Sequence, residues 1–437
     1  MPRRKEQRGP DMPALADSIA PYLERFSETL AGAAREPAWL LERRKCAMER
    51  FARLGVPTLK HEEYKYTDLS ALTDGQLLFA PPPGLARAGL PSYAQGDPVP
   101  LPAGGGPAVR GAVPPGARVL TLAEALDSEP ELMERHLGAI ADCRDHAICA
   151  LNTAFFSEAV VIAAGRGAVF EEPLHLVFRD PARNPLPRVL IVAERNASVR
   201  VVETYSGSGA YWRNAVTEIH AAENARVEHY RAQVESADAF HTGLLQASQQ
   251  RDSNVSTFSI SFGAAVARND IGTRLNGPGC ECSLDGIYAA RGAQLVDHHT
   301  SIEHAMPHCN SHQLYKGVLD DSSRGVFNGK IFVRPDAQKT DAVQSNKNLL
   351  LSDQCEVNTK PQLEIDANDV RCTHGATVGQ LDAETAFYLQ SRGIAAERAR
   401  SLLTYAFAAD ALERIKVVPL KERFESLLLD RFAAPGS

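Results

Sequence analysis

This sequence predicts a mainly β fold, a solenoid core set between two helical regions, and three observations carry that prediction. From Val160 to about Val378, short β-branched runs alternate with Gly, Asn, Asp and Ser, and long helical periodicity is absent. Within this stretch Asn196-Ala197-Ser198-Val199 recurs as Asn224-Ala225-Arg226-Val227 and, more faintly, as Asp252-Ser253-Asn254-Val255, so that Val199, Val227 and Val255 stand 28 residues apart. A fixed period of that size, made of short strands and polar turns, fits the coils of a β-solenoid. In an antiparallel sandwich, the alternative, the spacing would be coincidence. The third observation is that helical periodicity returns on both flanks.

In chain order, Pro37 suits a first helical turn, and Leu40, Ala47, Phe51 and Leu54 follow at near-helical spacing until Gly55 and Pro57 stop the helix. The Pro/Gly-rich stretch from about 81 to 116, with Pro81-Pro82-Pro83-Gly84 and Gly104-Gly105-Gly106, is expected to be a linker without regular structure. A second helical patch runs from about Pro130 to Phe156. The expected division is therefore 1–158 helical with its linker, 159–380 β-helix core, and 381–437 helical. In the last region Asp382 suits a helix cap, with an end near Arg392-Gly393. Ala399, Leu402, Leu403, Ala406 and Phe407 then form an i, i+3, i+4 stripe, and Leu420, Phe424, Leu427 and Leu428 repeat it after Pro419. Such stripes ordinarily serve packing; at the end of a solenoid they also offer a partner surface.

The 437 residues are 44% hydrophobic, enough for a substantial core, and the formal charge of −7 is spread out, which argues against a nucleic-acid partner. Arg3, Arg4, Lys5 and Arg8 cluster, but no apolar run follows them to make a secretory signal, and no stretch is long and apolar enough to span a membrane. The eight cysteines are scattered, without a CxxC pair, as expected of free thiols in a reducing cytoplasm.

The segment Val370-Arg371-Cys372-Thr373-His374-Gly375 carries the most chemistry. On a strand, side chains alternate faces, so Cys372 and His374 point the same way. A thiolate beside an imidazole can hold iron or take part in sulfur chemistry. Two ligands do not complete a cluster site, which normally takes four, so the others would come from elsewhere, such as a second subunit. On spacing alone, a buried thiol beside a hydrogen-bonded histidine is the simpler reading. His298, His299, His304, His308, Cys309 and His312 invite a metal assignment, with His304 and His308 as alternative ligands. However, neither HExxH nor paired CxxC spacing is present, and polar ladders or turns account for them more simply. Cys280 and Cys282 share a strand face and read as small core residues. Gly325 to Ile331 superficially resembles a phosphate loop, but it is one residue short and has Ile331 where magnesium needs Ser or Thr.

Several long motifs occur in order: Asp297 to Ile302, Leu314 to Asp320, Arg324 to Ile331, Gln344 to Ser352, Thr359 to Ile365, and the Cys372/His374 segment, with weaker similarity at Glu62 to Thr67. Through them the chain resembles the SufB/SufD family of SUF iron–sulfur cluster assembly scaffold subunits, on its SufD side. In SufB the stretch equivalent to Gln344-Ser345-Asn346 resembles Gln-Cys-Asp, with a cysteine implicated in receiving sulfur. Ser345 is too weakly acidic to replace it.

The resemblance implies a right-handed parallel β-helix and a non-ATPase subunit that works with SufB and the ATPase SufC. A transient iron–sulfur cluster would be shared with SufB at a site near His374 and Cys372. It also implies SufC docking on the C-terminal helices, with Leu402, Leu403, Phe407, Phe424 and Leu427 as candidates, a homodimer when isolated, and a link of the assembled complex to reduced flavin. Two alternatives stand beside it. One is a purely architectural subunit without a ligand of its own. The other is a stand-alone β-helix carbohydrate-active enzyme, for which the acidic pairs Glu171-Glu172 and Asp320-Asp321 read more simply as turn residues.

Overall fold

The computed structural model describes residues 12–33, 35–79, 98–99, 107–179 and 186–432. The basic cluster Arg3 to Arg8 and most of the 81–116 stretch lie outside them. Helices α1 (Met12–Gly32), α2 (Ala38–Leu54), α3 (Gln76–Phe79), α4 (Leu122–Ser128), α5 (Pro130–His136) and α6 (Ala147–Phe155) precede the solenoid, interrupted by short strands β1 (Pro98–Val99), β2 (Ala108–Arg110) and β3 (Ala117–Thr121). Gly55 ends α2 at φ +68°.

Two sheets then build the solenoid. One takes β4 (Ala159–Ala164), β6 (Arg188–Ala193), β8 (Trp212–Ala221), β10 (Phe240–Gln249), β12 (Val266–Leu275), β14 (Leu295–His304), β16 (Arg324–Val333) and β18 (Glu356–Ile365). The facing sheet takes β5 (Leu174–Phe178), β7 (Ser198–Tyr205), β9 (Arg226–Gln233), β11 (Asn254–Ser261), β13 (Glu281–Ala290), β15 (Asn310–Leu319), β17 (Asp341–Leu350) and β19 (Arg371–Gln380). Successive strands within each sheet are parallel. Helices α7 (Ala383–Ser391), α8 (Ala396–Leu412) and α9 (Val418–Phe432) follow.

The 28-residue repeat has a backbone cause. Asn196, Asn224 and Asp252 turn the corner before a strand in the left-handed region, at φ +61°, +56° and +56°. Asn and Asp tolerate that conformation better than other residues with a Cβ. Asn196 and Asn224 each donate their backbone N–H to the coil above, at Glu223 O (3.1 Å) and Arg251 O (2.9 Å), and Asn224 Nδ2 donates to Asn196 Oδ1 at 2.8 Å. The column Val199, Val227, Val255 is buried and in register, and it continues through Cys282, Ser311 and Ala342 to Cys372. The corner loops change length after Asp252, which is why the repeat fades from the sequence while the column persists.

Where the interior is tight, glycine makes room. A Cβ on Gly286 would meet the Tyr315 ring at 2.4 Å, and one on Gly329 would meet Gln344 Nε2 at 2.2 Å.

The two ends differ. At the N-terminal end β2 and β3 pair antiparallel with β5 and β4. Part of the stretch expected to lack regular structure is thus strand, because the sheet edge offers it unpaired N–H and C=O groups. Tyr22, Phe51 and Phe155 cluster over this end, with Tyr22 and Phe51 centroids 5.0 Å apart. Glu218 is buried there, accepting N–H bonds from Gly138, Ile140 and Ala141 at 2.8–3.0 Å and pairing with buried Arg188.

On the outer face of the β5–β19 sheet, Val202, Tyr230, Phe258, Ile260, Ile287 and Val318 pack against α8 and α9. The buried face of α8 is Ala399, Ser401, Thr404, Ala408, Ala411 and Leu412 rather than the expected leucine stripe. Small residues let the helix lie close on the sheet, and Leu402 and Leu403 are left half-buried. No helix among the described residues is long and apolar enough to cross a membrane.

Candidate functional site

Strands β18 and β19 end their sheets. Register places Cys372 over Ala342 and His374 over Gln344, and both lower residues are fully buried. Cys372 and His374 therefore face the solenoid interior. Among the described residues no further coil stacks on them, so His374 is exposed and Cys372 half-buried against the core. Burial, and then the Asp341 carboxylate, raise the Cys372 pKa, so it rests as a thiol. A bound cation would displace that proton. Beneath His374, Gln344 donates to Gln313 Oε1 at 2.8 Å and leaves its own Oε1 without a partner among the described residues. Across the end, β18 turns Val357, Thr359 and Leu363 inward by its register with β16 and supplies neither thiol nor imidazole. Among the described residues no group of three or more His, Cys, Asp or Glu could hold a metal. The chain brings two donors to an uncovered end and leaves the remaining positions open.

The histidine tract disperses into separate roles. His298 lies between the rings of Tyr288 and Tyr315, 5.3 and 5.2 Å away, and burial lowers its pKa to about 3. His304 is buried, with Nε2 2.9 Å from Ser311 Oγ, and burial brings it down to about 4. His308 is a corner residue at φ +59°, and His312 is exposed on β15. His304 and His308 thus sit in different surroundings, one inside a coil and one on its corner. Cys280 and Cys282 are buried in the core. Ser345 pairs with Gly375, one position out of phase with the inward column.

His299 belongs to a clamp whose parts are too far apart in sequence to connect by reading it. The segment Glu62 to Thr67 lies along β12, β14, β16 and β18. Glu63 meets Lys330 Nζ at 2.6 Å and His299 Nδ1 at 3.3 Å, while His299 Nε2 lies 3.2 Å from Asp297. Thr67 donates to Asp297 at 2.5 Å, and Arg268 bonds both Asp297 and Asp270 over the Tyr64 ring. Lys360, on β18, the last strand of its sheet, pairs with Glu62 at 3.0 Å. A cavity of about 190 Å³ remains between them. Both imidazole nitrogens face carboxylates. Burial opposes the charged ring, but Asp297, and hydrogen bonds to Asp297 and Glu63, outweigh it and raise the His299 pKa.

Of the docking candidates, Phe424 is a correction: it is fully buried, with its ring 5.6 Å from Phe262, and holds α9 to the sheet. Leu402, Leu403, Phe407 and Leu427 are half-buried. Among the described residues of the C-terminal helices the exposed aromatics are instead Phe387 (71%) and Tyr388 (55%), on α7, which buries none of its residues. Two adjacent aromatics in a short helix between polar turns are the sequence signal for that exposure.

Residues 178–407 match the family described as SUF system FeS cluster assembly, SufBD core domain, and residues 17–77 and 107–176 match the SufBD protein N-terminal region. A SufBD family iron–sulfur cluster assembly protein of Synechocystis is 31% identical over 422 residues, covering 92% of this chain and 93% of the relative. The iron–sulfur cluster assembly protein SufD of Escherichia coli is 31% identical over 387 residues, 86% of this chain and 89% of its own. The Bacillus subtilis protein of the same name is 28% identical over 293 residues, 65% and 66% of the two chains.

Proposed function

The chain belongs to the SufBD family of iron–sulfur cluster assembly proteins, of the SufD type, and from that premise we propose that its open end completes a cluster site with a paralogous SufB partner. The observation that carries this reading is the inward-facing pair His374 and Cys372 on a terminal coil that no described residue covers. The cluster is cargo here. His374 supplies a ligand and Cys372 a second after losing its proton, and the partner supplies the rest of the usual four. Strand edges pair readily with another chain, so β18 and β19, with exposed Ile365 and Val378, form the SufB contact. In isolation the same edges support a homodimer.

The Gly325 to Ile331 stretch lies within strand β16, not in a phosphate-cradling loop. ATP hydrolysis is accordingly assigned to a SufC partner, docked on α7 and the half-buried Leu402, Leu403, Phe407 and Leu427. Reduced flavin is assigned to the assembled complex.

Anaerobic affinity purification from the native host, with assays of iron and acid-labile sulfide, tests the reading. The expected result is co-purification of a paralogue and a small ATPase, with cluster lost in His374→Ala while the partners stay bound. Normal cluster in a folded His374→Ala protein would leave an architectural role only. Phe387→Ala with Tyr388→Ala should release the ATPase alone. Because α8 and α9 cover a sheet, such point variants are sounder than removing the C-terminal helices.

A further inference from the structure

Two cysteines of the N-terminal cap take no part in the open end. Cys143 lies in the loop before α6, and Cys149 is in the first turn of that nine-residue helix, its backbone N–H donating to His146 Nδ1 at 3.1 Å. Arg50 of α2 points its Nη1 at Cys143 Sγ, 3.2 Å away. Cys149 Sγ lies 3.7 Å from Ala141 O, and Cys143 and Cys149 sit in the same buried cluster of the cap. Cys143 keeps 5% of its surface and Cys149 none. A guanidinium beside a sulfur favours thiolate over thiol, and among the described residues only Cys143 of the two has one.

We propose that Cys143 and Cys149 are a peroxide-reactive pair, Cys143 attacking and Cys149 resolving. The Cys143 thiolate attacks one peroxide oxygen; the S–O bond forms, the O–O bond breaks, and hydroxide leaves to become water. The Cys149 sulfur, giving up its proton, then attacks the sulfenic sulfur. The S–S bond forms and the S–O bond breaks, releasing a second water. Two thiols are oxidised by two electrons and one peroxide is reduced to two waters. The charge distribution agrees: Cys149 and then Arg50 lower the Cys143 pKa against burial, while Cys143 and burial raise that of Cys149. The other close pair, Cys280 and Cys309, whose thiols both lie near Gly277 O, is sealed inside the solenoid with no surface for an oxidant to reach.

The test uses the full chain, reduced and then titrated anaerobically with hydrogen peroxide, followed by alkylation and peptide mass mapping. A peptide linking Cys143 to Cys149 should appear first, with exposed Cys46 still alkylated. Arg50→Gln, which removes the charge at a half-buried side chain, should slow the step by about tenfold by lowering the thiolate fraction. In Cys149→Ser the reaction should stop at a sulfenic acid that dimedone captures on Cys143. Oxidation of Cys46 before Cys143, no linked peptide in the unsubstituted chain, or an unchanged rate in Arg50→Gln would each overturn the proposal.

Discussion

At the N-terminal end the solenoid closes with antiparallel β2 and β3, beneath aromatic helices and a buried Arg188–Glu218 pair. At the C-terminal end β18 and β19 stop with their edges bare and their side chains exposed or half-buried. The same strand chemistry is finished in two ways, and only the first removes the liability of an open edge. The two ends differ in what covers them, and the uncapped one carries the thiol and the imidazole on which the proposed partner site rests. The clamp at Glu62 to Thr67 lies between the two regimes: it ties N-terminal sequence to the outer face as far as Lys360 on β18.

Removing Arg188 should break the comparison hardest. Arg188→Ala leaves the buried Glu218 carboxylate without its counter-charge and should cost about 3–5 kcal/mol, read from the urea midpoint. A loss below about 1 kcal/mol would mean that the capped end is not held by buried charge.

His299 should come next, with a pH dependence. Its raised pKa makes its contribution complete below the ordinary histidine value of about 6.5, and the contribution fades as pH rises through the folded value. Glu63 is held down to about 2, first by its hydrogen bond to His299 and then by Lys330. Asp297 is also held to about 2, where Arg268 and His299 overcome burial. Both carboxylates contribute above the ordinary carboxylate range and lose that contribution as pH falls toward 2. The clamp is therefore tightest between about pH 4.5 and 6.5. His299→Gln should destabilise the protein by about 2 kcal/mol at pH 6, and unfolding repeated at pH 9 should show the gap narrowing. A gap that widens would reverse the sign assigned here.

Asn224→Ala, at an exposed left-handed corner, should cost about 1 kcal/mol, whereas Asn224→Gly should cost only a few tenths. Equal losses would mean that the side-chain ladder to Asn196, not backbone conformation, sets the corner. The smallest effects belong to the open end: His374→Ala and Val378→Ser should each move the isolated protein's stability by less than about 0.5 kcal/mol. A larger loss for either would mean that the end is structural and not reserved for a partner.

Much of this was legible in local sequence. The Asn-Ala-x-Val repeat found the coils because three consecutive corners keep one length, and beyond Asp252 the corners vary and the pattern dissolves. Strand alternation put Cys372 and His374 on one side, and Asp382 and Gly393 bound α7 at its two ends; Asp382 Oδ2 accepts from Thr385 N at 3.0 Å, and Gly393 takes φ +85°. The leucine stripe of α8 misled because a helix lying on a flat sheet buries its small residues. Phe424 misled because an apolar residue on an amphipathic helix reads the same whether its neighbour is a sheet or another protein. Glu63 and Lys330 could not be paired by any local rule, being distant in the chain.

The sequence by itself determined the solenoid and its helical flanks, the coil column that starts at Val199, and the shared face of Cys372 and His374, because these depend on periods and corner residues a few positions long. Tertiary structure alone decided that this column ends uncovered at Cys372, that Phe387 and not Phe424 is offered to solvent, and that a thiolate-stabilising Arg50 meets Cys143. Exposure and charge pairing depend on which distant segments come to lie against one another, and that is settled only when the coils stack.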